Sequence, residues 1–307
     1  MPCVAPLHGW FAKKKNSSGK RSIVFTGSEA DLGDSIDVPC GQCIGCRLEY
    51  ARNWAVRCMH EASIHDENCF ITLTYDDDHL PEGGTLVKKD CQDFMKRLRS
   101  RNDGKRIRFY LSGEYGEDGL RPHYHALLFG YDFPDKKYWS TREGHKVWTS
   151  DILESAWGNG LTEVGSATFE SAAYCARYMV KKFKGKKEVA EMYYDGLEPE
   201  FALMSRGGKD SDGKQTYGIG HDYYLKHKKG IYSHDSVIID GREQKPPQYY
   251  DRLFEVESPF AHKFLKNNRR EYAEHMRDKD ERGDSKLECD RKLMESRVKL
   301  RKEMSEL

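Results

Sequence analysis

The feature that most constrains the fold is a pair of β-strand patterns joined by a short turn. Residues Arg106–Ser112 and His123–Phe129 are rich in apolar and aromatic side chains, and a turn at Gly116–Leu120 lies between them. A parallel connection needs a crossover of about a dozen residues or more, so a link this short predicts an antiparallel hairpin. Cys69–Tyr75 predicts a central strand, and Leu161–Val164 predicts a fourth one.

Four helical patterns accompany these strands. Amphipathic spacing and end signals predict helices at Cys46–His65, Asp90–Ser100, Thr149–Trp157 and Glu170–Lys184. Antiparallel strands with helices between them indicate an α+β fold, an antiparallel sheet with helices covering one of its faces.

The flanks of this centre are more polar. Residues 1–35 predict loops with one short strand, Arg21–Thr26, and the glycines and tyrosines beyond residue 190 predict irregular loops. The tail from Phe264 onward is dense in charge and predicts a solvated helix or disorder. The predicted organisation is an N-terminal segment (1–65), a core (66–190), an irregular extension (191–260) and a charged tail (261–307).

Composition and missing motifs exclude several classes of protein. Aromatic residues make up 12% of the chain, which is too many for a wholly disordered protein. No apolar run approaches the ~20 residues of a membrane span, and Met1–His8 lacks the order of a signal peptide, so we expect a cytoplasmic protein. No G-x-x-x-x-G-K-[ST] motif is present, so we expect no built-in helicase motor. A net charge of +1 does not by itself suggest nucleic acid.

Three closely spaced cysteines predict a metal site. Cys40, Cys43 and Cys46 form a C-x₂-C-x₂-C run, which has zinc-ligand spacing once a fourth ligand is added. Cys3 is the predicted fourth ligand, and Cys58 or His8 are its alternatives. An iron–sulfur cluster is disfavoured because no C-x₃-C-P follows, and three reduced thiols without metal remain the other interpretation.

Two histidines on the second hairpin strand predict a second metal site. Alternate residues of a strand share a face, so His123 and His125 point the same way, about 6 to 7 Å apart. Glu114, at the end of the preceding strand, would lie across the hairpin from them. Two imidazoles and a carboxylate leave coordination positions open, as Mg²⁺ or Mn²⁺ would require. The alternative is two histidines with no metal.

The helix that follows the fourth strand carries candidate nucleophiles. Residues four apart share a helix face, so Tyr174 and Tyr178 present two phenols to one place, with Lys181 about one turn further on. The alternative is that both tyrosines pack against the sheet.

Basic residues gathered on particular helices are candidates for phosphate contact. They are Arg47, Arg52, Arg57, Lys96, Arg97, Arg99 and Arg101, followed by Lys182, Lys184, Lys186 and Lys187. The alternative for any one of them is a solvated surface charge.

These motifs together carry a resemblance to a known family. His123-Tyr124-His125 resembles the two-histidine motif of HUH endonucleases, Phe70-Ile71-Thr72-Leu73-Thr74 resembles their first strand motif, and Tyr174 with Tyr178 and Lys181 resembles the two-tyrosine helix of rolling-circle initiators. With Cys40–Arg47, Gly113–Gly116 and Arg121–His125 added, the chain resembles the replication-initiation proteins of gokushovirus-type microviruses over roughly residues 1–185.

The resemblance implies a function. It implies an HUH/RRM-like core that nicks double-stranded replicative DNA of a small single-stranded DNA phage at a specific site. A tyrosine would form a 5′-phosphotyrosine bond and free a 3′-OH, assisted by a metal at His123, His125 and Glu114 and by Lys181. The second tyrosine would allow joining. The implied partners are the viral origin, host polymerase and a host helicase, in the bacterial cytoplasm.

A second class of function is compatible with the same sequence. The chain could be a non-catalytic zinc-containing nucleic-acid-binding protein that uses the cysteine module and basic helices, with the histidines and tyrosines as packing residues.

Overall fold

The computed structural model describes most of the chain, in two compact units. It describes residues 3–17, 19, 21–102, 106–116, 119–142, 144–181, 194–209, 213, 215–278 and 288–296, with the backbone alone at 178–181, 209 and 276–278. One unit consists of Met1–Glu49 and His275–Leu307, and the other of Tyr50–Glu274.

The first unit contains a three-stranded antiparallel sheet, where the sequence predicted mostly loops. Strands β1 (Leu7–Lys15), β2 (Arg21–Val24) and β3 (Ala30–Val38) pair in the order β2-β1-β3. The predicted short strand is β2, whereas the loop prediction is wrong for Leu7–Lys15 and for residues 30–35, which lie in β1 and β3. Most residues of these strands are exposed or half-buried, so they lack the apolar alternation that reveals a strand.

Polar contacts hold this small sheet together. The guanidinium of Arg21 donates from Nε to the Ala12 carbonyl oxygen and lies 2.8 Å from a carboxylate oxygen of Asp31 and of Asp34. One side chain of β2 therefore contacts both its neighbour β1 and β3, which lies on the far side of β1. Residues 288–296, also in this unit, are helical.

The second unit is built on a seven-stranded sheet whose described pairs are all antiparallel. Its order is β10-β5-β6-β4-β9-β8-β7. The strands are β4 (Asn68–Thr74), β5 (Arg108–Tyr115), β6 (Pro122–Phe129), β7 (Lys137–Arg142), β8 (His145–Thr149), β9 (Thr162–Ser166) and β10 (Phe201–Met204). The predicted hairpin is β5–β6, and the predicted central and fourth strands are β4 and β9. This confirms the α+β class, while the β7–β8 hairpin and β10 were not predicted.

Helices cover both faces of this sheet, which corrects the expectation that they cover one. Helices α2 (Lys88–Ser100) and α3 (Asp151–Trp157) pack on one face, and α1 (Ile44–Ala62) and α4 (Phe169–Lys181) pack on the other. Alternation along the strands explains the result, because Tyr124, Ala126 and Leu128 belong to the first face and Leu127 and Phe129 to the second. We call these the aromatic face and the α4 face.

The segment after residue 200 is more regular than predicted. Helices α5 (His221–His234) and α6 (Gln248–Glu257) and two short hairpins, β11–β12 (Gly208–Lys209 with Gln215–Thr216) and β13–β14 (Val237–Ile239 with Arg242–Gln244), replace the expected irregular loops. Buried Tyr224 and Tyr250 pack with Val56 and Ile231, so tyrosine rings supply the core here. Helix α7 (Pro259–Asp278) is largely exposed, as expected for a solvated helix.

Candidate functional site

The β-ladder register gathers polar side chains on the α4 face of β4, β5 and β6. Glu114 of β5 lies opposite His123, and on the other side of β6 Thr74 lies opposite His123 and Thr72 opposite His125. Because the side-chain period of a strand is two, all five residues project from the same face. The sequence analysis predicted that Glu114 would lie across the hairpin from His123 and His125.

Threonine hydroxyls fix both imidazole rings. Thr72 Oγ1 lies 3.1 Å from His125 Nδ1, and Thr74 Oγ1 lies 2.9 Å from His123 Nδ1. Engaging Nδ1 orients each ring and leaves Nε2 as the nitrogen for a further partner. Sequence reasoning assigned these threonines only to a strand motif. Their two-residue spacing, equal to that of the histidines, was the available signal for this role.

Glu114 connects a histidine to the tyrosine helix. Its Oε1 lies 2.7 Å from His125 Nε2 and accepts a hydrogen bond of 3.2 Å from the phenol of Tyr174. Glu114 is 3% exposed and His125 is 6% exposed. Water is therefore largely excluded from the carboxylate–imidazole contact, which strengthens the interaction between the two groups.

His123 is the more accessible of the two histidines, and its environment favours the neutral ring. Burial, followed by the nearby His125 and Arg121, lowers the pKa of His123 below its ordinary value. A neutral imidazole is the form that binds a metal ion. Gly116 makes room for this ring, since a Cβ at that position would lie 2.7 Å from His123 Nε2.

Helix α4 presents Tyr174 to this patch. Cys175 and Ala176 are buried against the sheet, while the half-buried Tyr174 ring meets His125 edge-on, with 4.9 Å between centroids and 86° between planes. The side chains of Tyr178 and Lys181 lie outside the described part of the structure, as do residues Lys182, Lys184, Lys186 and Lys187. The helical backbone extends from Phe169 to Lys181.

A cavity of about 400 Å³ opens beside Tyr174 and His125. Phe70 also lines it, with its ring parallel to that of His125 at a centroid distance of 5.7 Å. Sequence reasoning identified Phe70 only as part of a strand motif.

In the first unit, the structure brings the four predicted cysteines together. Within the described residues, Cys3, Cys40, Cys43 and Cys46 are the one group of three or more potential ligands whose donor atoms all lie within 4.8 Å of one another. Of the alternative ligands, Cys58 is fully buried in a hydrophobic cluster of the second unit, and His8 Nδ1 lies 2.8 Å from Asp37.

The sulfur geometry of this group could hold a metal such as zinc. Cys3 Sγ lies 3.7 Å from both Cys40 Sγ and Cys43 Sγ. A tetrahedral site with Zn–S bonds of about 2.3 Å has S···S edges of about 3.8 Å. The backbone N–H groups of Gln42 and Cys43 also donate to Cys40 Sγ and so orient this sulfur.

Most of the predicted DNA-binding arginines make contacts within the fold. Arg57 lies between the rings of Trp54 and Tyr249, each 4.0 Å away, and Arg52 donates to the Lys245 carbonyl oxygen. The remaining contacts are Arg97 with the carbonyl oxygens of Ala156 and Trp157, Arg99 with that of Ile107, Arg101 with Ser155, and Lys96 with Asp93. Arg47 is exposed. These contacts give each of the contacting arginines a structural role. A role of the basic residues in binding DNA stays a prediction.

None of the described helices combines the length and the apolar character needed to cross a bilayer.

Comparison with known proteins gives a consistent result. Residues 68–183 match the family described as replication-associated protein ORF2/G2P. Replication-associated protein VP4 of Bdellovibrio phage phiMH2K is 31% identical over 269 residues, which cover 84% of this chain and 79% of that protein. Replication-associated protein ORF2 of Spiroplasma virus 4 is 32% identical over 295 residues, which cover 89% and 87%.

A third relative is replication-associated protein ORF4 of Chlamydia phage 1, which is 29% identical over 228 residues, covering 71% of this chain and 54% of that protein. No solved structure matches. The family expected from the histidine, tyrosine and cysteine motifs is thus confirmed, and the chain belongs to the family of phage replication-associated proteins.

Proposed function

We propose that this protein is a site-specific single-strand DNA endonuclease and ligase that initiates rolling-circle replication of a small single-stranded DNA phage genome. Membership in a family of phage replication-associated proteins supports the role in rolling-circle replication. The observation that carries the chemistry is the hydrogen bond from the Tyr174 phenol to Glu114 Oε1, which also lies 2.7 Å from His125 Nε2.

In the cleavage step, the Tyr174 oxygen attacks the phosphorus of one phosphodiester. A bond forms between the phenol oxygen and phosphorus, the P–O3′ bond breaks, and the departing oxygen takes up a proton to become a free 3′-OH. Glu114 is positioned to accept the phenol proton. A phenol and a carboxylic acid differ by about 6 pKa units, or about 8 kcal/mol, so this transfer needs positive charge near the phosphate.

The side chains proposed to hold a divalent metal ion are two imidazoles and a carboxylate on one face of the sheet, although their ligand atoms do not all lie within 4.8 Å of one another. Both imidazoles have Nδ1 engaged by threonine, and His123 favours its neutral form. His123, His125 and Glu114 would hold Mg²⁺ or Mn²⁺, which supplies Lewis-acid polarisation of the scissile phosphate when bound. Metal binding would replace the contact between His125 Nε2 and Glu114 Oε1, and it would require all three ligand atoms to come closer to one another.

The joining step is assigned to the second tyrosine. Tyr178 follows Tyr174 by one helical turn, and Lys181 follows at a similar interval within the α4 backbone. A second phenol would cut the regenerated origin while the first still holds the 5′ end, and Lys181 would stabilise charge on the phosphate or phenolate.

The remaining assignments concern the metal-binding cysteines and the partners. Cys3, Cys40, Cys43 and Cys46 would hold a structural Zn²⁺, supported by their sulfur spacing. The substrate would be the viral origin, as single-stranded DNA or supercoiled replicative form, in the host cytoplasm. Host polymerase would extend the 3′-OH and a host helicase would unwind the duplex. Residues 66–190 would form the nuclease core, with 1–65, 191–260 and 261–307 as accessory segments.

An adduct assay tests the proposal. The protein is incubated with Mn²⁺ and a library of single-stranded phage-origin oligonucleotides, and covalent complexes that resist SDS are measured. We expect adducts with the wild type, and partial loss with impaired joining in Tyr174→Phe and in Tyr178→Phe, because the remaining phenol can still attack. Tyr272→Phe, at an exposed tyrosine of α7, should cause no change.

The same assay separates the competing function. A non-catalytic zinc-containing nucleic-acid-binding protein, favoured by the compact cysteine group, would retain the oligonucleotides without forming any adduct. Elemental analysis of the purified protein measures the zinc content, and absence of zinc would refute the structural-zinc assignment.

A further inference from the structure

The chemistry proposed above uses only one wall of the cavity beside Tyr174, and it gives no role to the rest of the lining. It extends from Phe70, His125 and Tyr174 to strands β7, β8 and β9, where Arg142 of β7 and Glu163 of β9 line it. Its volume of about 400 Å³ lies within the range of ~300–1,000 Å³ of sites that enclose small ligands. Since Tyr174 forms part of its wall, a ligand in this cavity lies next to the attacking phenol.

A glycine keeps the aromatic part of the cavity open. Gly165 of β9 pairs directly with Phe70 of β4, and a Cβ at Gly165 would lie 3.3 Å from Phe70 Cδ1. Gly165 is not among the residues with positive φ, so the backbone conformation does not demand a glycine here. The effect of the missing side chain is to leave the Phe70 ring accessible from the cavity.

Strands β9 and β7 contribute an acceptor and a donor side by side. Arg142 Nη1 lies 2.7 Å from Glu163 Oε1, and both side chains line the cavity, together with Lys146. An ionised carboxylate only accepts hydrogen bonds, whereas guanidinium and ammonium groups only donate them. A flat ligand with an amino group beside a ring acceptor can form hydrogen bonds with this pair. Its ring can also stack on the accessible Phe70 ring.

We propose that this cavity binds the base of an unpaired nucleotide adjoining the scissile phosphate, and that it prefers cytosine or adenine over thymine. The inference rests on the proposed nicking function and adds a specificity site to it. The base stacks on Phe70, its exocyclic amino group donates to Glu163, and Arg142 donates to the neighbouring ring acceptor. Lys146 provides positive charge for the flanking backbone phosphate.

Sequencing of trapped adducts tests the inference. Oligonucleotides randomised around the cleavage position are reacted with the wild type, Glu163→Gln, Gly165→Val and the control Gly33→Val, a strand glycine with room for a side chain. For the wild type we expect cytosine or adenine over thymine by about tenfold at one position next to the cut. Glu163→Gln, which adds a donor at the same place, should abolish that preference at this position alone.

Gly165→Val fills the cavity and should reduce adduct formation about tenfold with every sequence, while Gly33→Val leaves it unchanged. Circular dichroism checks that both variants are folded, and Glu163→Gln tests the inference independently if Gly165→Val is not. Wild-type adducts without any preference at the flanking positions, or an unchanged preference in Glu163→Gln, would overturn the inference and leave the nicking function standing. No wild-type adduct with any sequence would overturn both.

Discussion

The two faces of the seven-stranded sheet are built from the same strands, but around Tyr124 and the flanking histidines they hold opposite kinds of side chain. On the aromatic face, Tyr124, Tyr75 and Trp157 pack ring against ring, and their polar atoms are satisfied internally, as in the contact of 3.0 Å between the Tyr75 and Tyr124 hydroxyls. On the α4 face, the neighbours His123 and His125 are surrounded by threonines, a carboxylate and a phenol.

The comparison shows how one sheet can hold the residues that stabilise the fold on one face and the residues proposed for the chemistry on the other. Residues adjacent in sequence project to opposite sides, so Tyr124 anchors the strand while the histidines flanking it stay available for function. We expect substitutions on the aromatic face to change the free energy of unfolding, and substitutions on the α4 face to change the rate of cleavage.

The largest effect is expected on the α4 face, from His125→Ala. Adduct formation should fall by about 10⁴-fold, equivalent to about 5 kcal/mol, because a proposed metal ligand and the partner of Glu114 are lost together. Affinity for the origin oligonucleotide, measured by fluorescence anisotropy, should stay nearly unchanged. His234→Ala, at the exposed end of α5, is the control. Normal nicking by His125→Ala would remove the metal site from the proposal.

The next effect is expected on the aromatic face, from Trp157→Ala. This residue is fully buried and donates from Nε1 to the Thr74 carbonyl oxygen, so its loss should lower the free energy of unfolding by about 3–5 kcal/mol. Denaturant titration measures the change. Trp139→Ala, whose side chain is 64% exposed, should stay within about 0.5 kcal/mol. Equal changes in the two variants would contradict the assignment of the core to this face.

A smaller effect is expected from Gly116→Ala. The added methyl group would displace the His123 ring, and cleavage should fall by about 10²-fold with little change in unfolding free energy. Initial rates of adduct formation measure it, with Gly33→Ala as the matched glycine control. If stability falls instead while the rate per folded molecule is constant, Gly116 serves the backbone and not the imidazole.

Thr74→Val should have a more modest effect. It keeps the shape of the side chain but removes the hydroxyl that holds His123 Nδ1, so metal affinity in the cleavage assay should weaken by about tenfold. A titration of activity against Mn²⁺ concentration measures it, and Thr141→Val, on the exposed β7 strand, is the control. An unaltered Mn²⁺ dependence would show that the hydroxyl does not orient the ligand.

The smallest effect concerns pH. Because the pKa of His123 is lowered, its neutral form persists below the ordinary histidine pKa of about 6.5, and cleavage should decline only at a more acidic pH. The same shift gives stability that is present above the pKa of the unfolded chain and is lost as pH falls through the folded value. A rate profile between pH 5 and 8 tests this, and a midpoint above ~6.5 would contradict it.

The period-two pattern of the strands was sufficient to predict part of this site from the sequence. The shared face of His123 and His125 and the position of Glu114 follow from one hairpin, whose register a short turn determines. The threonine contacts depend on the pairing of β4 with β6, which are far apart in sequence, so no local pattern specifies which residues meet. The same reason hid the cavity, which needs β8 and β9 beside β4.

The fold was predictable from the sequence where buried apolar residues recur with the period of a helix or a strand. The sheet of β1–β3 was missed because Arg21 and its acidic partners, rather than an apolar stripe, hold it together. Helices α5 and α6 were missed because tyrosines, which also occur in loops, form their buried side.

The shared oxygen of Glu114 couples the behaviour of His125 to that of Tyr174. Because Oε1 serves both the His125 ring and the Tyr174 phenol, neither contact can change without altering the other. In the proposed cleavage step, transfer of the Tyr174 proton to Glu114 would therefore also change the contact of Glu114 with His125. Whatever engages His125 would then also influence how readily the proposed nucleophile gives up its proton.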